Sequence, residues 1–73
     1  MKEVLVFQTS VTTSQRVNQV KPLLDNLMHH GEKWNFDLED CDYILRVEAI
    51  RIQASVIIHS LNTAGFICRE LED

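Results

Sequence analysis

The segment LVFQTSVTTSQRVNQV, Leu5 to Val20, decides the fold. Val4, Leu5, Val6 and Phe7 are apolar on both faces of a strand, Glu3 to Gln8, which is the pattern of a strand central in its sheet. A polar junction, Gln8 to Ser14, follows and leads into the first helix. Thr12, Thr13 and Ser14 crowd the helix start. Thr12 with Gln15 has capping-box spacing, and Thr13 is an equally good cap. A strand-to-helix junction gathers backbone N–H groups and the positive end of a helix dipole. This one offers hydroxyls and an amide, but no thiol, imidazole or carboxylate.

Working outward, Val17, Val20, Leu24, Leu27 and Met28 recur at helical spacing, so the first helix is expected to run to about His29. Pro22 lies inside that run, removes the donor to the Asn18 carbonyl and predicts a kink. His29, His30 and Gly31 end the helix. Trp34, Phe36 and Leu38 alternate with Asn35 and Asp37 as a half-buried strand. The turn Glu39-Asp40-Cys41-Asp42 leads to a third strand, Tyr43 to Glu48, with Leu45 and Val47 inward and Ile44, Arg46 and Glu48 outward. A second helix covers about Gln53 to Ala64, Gly65 stops it in a left-handed conformation, and Phe66 to Leu71 is the last strand. The order βαββαβ predicts an α+β, ferredoxin-like sandwich. Right-handed crossovers give an antiparallel sheet of order 4-1-3-2 with both helices on one face.

The 73 residues make a single domain, 1–73, with no linker and no low-complexity segment. An apolar fraction of 45% excludes wholesale disorder. No apolar run approaches the roughly 18 residues of a membrane span, and no signal pattern opens the chain, so a soluble cytoplasmic protein is expected. The net charge is −4 and no basic stripe forms, which disfavours nucleic acid.

With the elements placed, the chain resembles the heavy-metal-associated (HMA) domain family, the fold of small copper chaperones and of metal-pumping ATPase modules. The resemblance rests on helix-one spacing, on Asn35-Phe36-Asp37-Leu38, on Ile44-Leu45-Arg46-Val47-Glu48 and on Ala64-Gly65-Phe66. That family carries M-T-C-x-x-C at the junction. Aligned by the helix face, the motif falls on Val11 to Arg16. Thr12 matches, Val11 replaces the methionine, and the two cysteines become Thr13 and Arg16. Soft cations need thiolates, and Arg16 adds a permanent positive charge. The resemblance therefore implies the fold without the family's metal site. Ser10 and Thr13, the positions reached by a three-residue shift, supply no thiolate either.

Other side chains bear on metal binding. Cys41 and Cys68 fall on different sides of the first strand. Strands spaced ~4.8 Å apart then separate the two cysteines by more than the ~7 Å a disulfide spans. His29 and His30, if on the helix, point about 100° apart and chelate poorly together. They serve better at a helix C-terminus, or at a dimer contact holding zinc. His59 reads as a surface or rim residue. The cluster Asp37, Glu39, Asp40 and Asp42 lacks the glycine and spacing of an EF-hand. It suits an acidic hairpin tip that discourages edge pairing, or docking to a basic partner. Val4, Val6 and Ile44 are expected on the sheet face that no helix covers, as a possible interaction face. No nucleophile–base pair is evident, so no catalysis and no cofactor are expected.

The sequence thus supports a non-enzymatic domain acting through protein contacts or self-association. Its alternatives are a displaced metal site drawing on Cys41, Cys68, His29 or His30, and an anion sensor at the helix-one N-terminus with Arg16, Thr12, Thr13 and Ser14.

Overall fold

The computed structural model describes residues 2–37 and 43–71. The chain runs β1 (Glu3–Thr9), α1 (Ser14–Leu27), β2 (Lys33–Asp37), β3 (Ile44–Ala49), α2 (Ala54–Thr63) and β4 (Cys68–Glu70). All three strand pairings are antiparallel, and the order across the sheet is β2-β3-β1-β4. Counted from the β4 edge, this reads 4-1-3-2. The doubly apolar β1 lies between β3 and β4, as a strand with no polar face should. The predicted acidic turn, with Leu38 and Cys41, lies outside the described residues.

One core joins the sheet to both helices. Leu5, Phe7, Leu45 and Val47 from the sheet meet Val20 and Leu24 of α1 and Ile57 and Leu61 of α2. Trp34 and Phe36 of β2 pack at its margin in an edge-to-face pair, with ring centres 5.8 Å apart. Trp34 Nε1–H donates to Asp25 Oδ1 at 2.8 Å, tying β2 to α1.

Local chemistry sets the helix ends. Thr13 is the N-cap of α1, its Oγ1 accepting from Arg16 N at 3.1 Å, so the cap falls on Thr13 and not on the Thr12–Gln15 box. The helix continues through Pro22. The Asn18 carbonyl that loses its donor belongs to an exposed residue, and water can satisfy it. The helix ends at Leu27, two residues before the expected His29, with Met28 as an extended C-cap. Gly65, at φ 94°, closes α2 as predicted. Phe66 N donates to Leu61 O and Gly65 N to Asn62 O, the paired bonds of a Schellman stop.

Strand boundaries differ from the sequence reading: β1 runs on to Thr9, β2 begins at Lys33, β3 spans Ile44–Ala49 and the last strand pairs only over Cys68–Glu70. Ile44 needs a larger correction. By register it sits opposite Gln8 and Asp37 on the face away from the helices, yet it is only 4% exposed. It therefore contributes no apolar surface to that face.

Candidate functional site

The β1–α1 junction is occupied by its own hydrogen bonds. Val11, aligned with a methionine by the resemblance, is fully buried in the core. Thr9 Oγ1 accepts from Val11 N and donates to Tyr43 O at 2.9 Å. Ser10 exchanges bonds with the α2–β4 loop: its N donates to Ile67 O and its Oγ accepts from Ile67 N. The Arg16 guanidinium folds back, donating to Thr12 Oγ1 at 2.7 Å and to Ser10 O at 3.4 Å. Of the groups read as a possible anion site, Thr13 is engaged in capping and Thr12 in holding Arg16.

Cys68 is buried on the core side of β4, opposite Thr9. Burial pushes its thiol up to about 12, so it carries no thiolate at neutral pH. A ligand for a soft cation must be deprotonated, which counts against Cys68 in a displaced site. Among the described residues, no three His, Cys, Asp or Glu side chains come together to hold a metal ion. Cys41 lies outside the described residues.

The histidines are placed otherwise than expected. Because α1 ends at Leu27, His29 and His30 lie beyond the helix, and both border one hollow with Ile50 and Arg51. Behind it is Glu32, a residue the sequence reading passed over. Its side chain is fully buried. Glu32 Oε2 accepts from three successive backbone amides, Ile50 N at 2.7 Å, Arg51 N at 2.8 Å and Ile52 N at 2.9 Å. Oε1 accepts from His29 N at 2.6 Å and lies 2.9 Å from His29 Nδ1. Burial alone would raise the carboxyl's pKa, but the amides of Ile52, His29, Ile50 and Arg51 outweigh it and hold the group far below the usual carboxylate range. Glu32 is thus an anion at neutral pH and clamps the β3–α2 loop. A signal for it existed in the sequence. Gln53 precedes α2 where a Ser, Thr, Asp or Asn cap is usual, it makes no side-chain cap bond, and the first turn holds no acid. Amides gathered near such a helix start need an acceptor from elsewhere in the chain.

The sheet face away from the helices carries mixed chemistry. By register it carries Val4 and Val6 of β1, Lys33, Asn35 and Asp37 of β2, and Arg46 and Glu48 of β3. Lys2 joins it through a 3.8 Å contact with Glu48, and Arg69 by pairing opposite Gln8. Val4 is 59% exposed, and Val6 is half-buried. A shallow hollow of about 450 Å³ lies among Val4, Lys33, Trp34, Asn35, Arg46 and Glu48. Among the described residues, four cations (Lys2, Lys33, Arg46, Arg69) stand on this face with two anions (Asp37, Glu48), a surplus of two positive charges in a chain of net charge −4. The ion pairs there, Lys2–Glu48 and Arg46–Asp37 at 3.7 Å, are long and solvent-exposed and hold the charges weakly.

No protein-family model matches this sequence, and no curated protein and no solved structure is significantly similar to it.

Proposed function

We propose that this chain is a small non-enzymatic interaction domain of ferredoxin-like, HMA-like architecture, whose uncovered sheet face receives an acidic segment of a partner protein. The observation that carries the reading is the cationic surplus on that face, set around exposed Val4 and the hollow beside it. Opposite charge across an interface steers encounter and selects partners. The same surplus disfavours self-association through this face, because two copies would oppose like charge. Phe7, Trp34 and Phe36 belong by register to the core side. Among the described residues, Trp34 alone of the aromatics reaches the edge of that hollow, which is no row of rings for single-stranded nucleic acid to stack on.

The HMA-like scaffold is supported by the order of elements and by one core shared between both helices and the sheet. Soft-metal carriage has no support at Val11, Thr12, Thr13 and Arg16, where a buried valine, two hydroxyls and a folded-back guanidinium stand.

Selection from a random peptide library tests the reading. The unmodified protein should enrich acidic peptides with an aliphatic residue among the acids. The Lys33→Glu, Arg46→Glu double variant should not. Enrichment of basic or neutral peptides, or equal enrichment by both proteins, would remove the acidic partner. A dimer whose contact maps to this face would replace that partner with a second copy.

A further inference from the structure

We propose that the hollow bordered by His29, His30, Ile50 and Arg51, about 340 Å³ in volume, binds a small organic anion with a carboxylate or phosphate head and an apolar body. The hollow exists because α1 stops at Leu27 and releases both histidines from the helix. Its back wall is fixed by Glu32, which takes the backbone amides of Ile50, Arg51 and Ile52 and that of His29. Those bonds leave the Arg51 guanidinium unengaged. Among the described residues, neither it nor the His30 ring has a hydrogen-bond or ion-pair partner. The His29 ring is oriented by its Nδ1 contact with Glu32 and is half exposed, so Nε2 is the nitrogen left for a ligand.

The apolar wall is Ile50, 43% exposed. Gly31 lies so close that a Cβ there would come within 3.1 Å of Ile50 Cδ1, which sets the isoleucine against the turn. A guanidinium with five donors and two imidazoles beside an aliphatic surface matches an anionic head on an apolar body. The same guanidinium repels a metal cation, and the two histidines alone fall short of a zinc ligand set. Glu32 does not repel the anion strongly, since its oxygens are saturated by backbone donors and turned away from solvent.

Amide and histidine-ring NMR shifts of the whole protein test the proposal with hexanoate, hexyl phosphate, acetate and hexanol as probes. Saturable shifts at residues 29–31, 50 and 51 are expected with hexanoate, hexyl phosphate or both, and whichever binds tighter identifies the head. Acetate should bind more weakly and hexanol not at all. Arg51→Gln keeps the backbone amide on Glu32, so the fold should persist, while affinity should drop about tenfold or more, as for a lost charge-assisted hydrogen bond. The proposal is overturned if hexanol matches hexanoate, if Arg51→Gln binds as tightly as the unmodified protein, or if neither anion gives saturable shifts. A Zn(II) response lost in His30→Ala, with none to the anions, would replace it with a cation site. The sheet face is not involved, so these outcomes and those of the peptide selection can be told apart.

Discussion

Glu32 is an acid that holds two distant stretches of chain together by accepting from backbone donors. Replacing it with glutamine keeps the shape but sets an N–H₂ against amide donors it cannot accept from. E32Q should cost about 2–4 kcal/mol, the range for losing charged hydrogen bonds and leaving buried donors unmet, measured by urea unfolding. The pH dependence follows from the same bonds. The folded carboxyl titrates below its unfolded value of about 4.3, so its contribution is complete above that pH and is lost as pH falls below it toward the depressed folded value. Stability should therefore decline from roughly pH 4.5 downward, and E32Q should flatten part of that slope; parallel slopes would contradict the assignment. Cys68 gives a second prediction at this scale. With its thiol at about 12 and the side chain in the core, a Cys41→Ser protein should resist a thiol reagent at pH 8 until it unfolds. Rapid labelling of the native protein would show a more open β4.

Among the elements, α1 carries a helix breaker in its interior. Pro22 is exposed within a continuous helix and denies the Asn18 carbonyl its donor. Pro22→Ala should stabilise the protein by about 1–3 kcal/mol, the helix-interior cost of proline less its effect on the unfolded chain. A loss of stability on thermal unfolding would mean that the proline shapes the packing of α1. What was legible in the sequence belongs mostly to this scale. The apolar run Val4 to Phe7 told of a central strand, Leu45 and Val47 of an inward face, and Gly65 of a left-handed helix stop, because each depends on near neighbours. The end of α1 was misjudged by two residues, since Met28 continues the apolar period although the helix stops before it. Ile44 was placed on the right face with the wrong exposure, as alternation reports direction and not cover. Glu32 was missed because its partners lie 18 to 20 residues away, where no periodicity reaches.

At the scale of the whole molecule, one face of the sheet is buried under two helices, and the described residues of the other carry a charge sign opposite to that of the chain. The β1–α1 junction is filled by hydroxyl caps and Arg16. The two binding surfaces proposed are the sheet face and the histidine hollow at the foot of α1. Binding at the sheet face should weaken as salt rises, because its attraction is between exposed charges, and isothermal titration at two ionic strengths reads this directly.

The measurement that bears most directly on the account is an amide-shift map of the protein titrated with a peptide of alternating acidic and aliphatic residues. The account predicts saturable shifts centred on Val4, Lys33, Asn35 and Arg46, abolished by the Lys33→Glu, Arg46→Glu double variant. Shifts centred on the helices or the β1–α1 junction, or a map unchanged by the charge reversal, would contradict it.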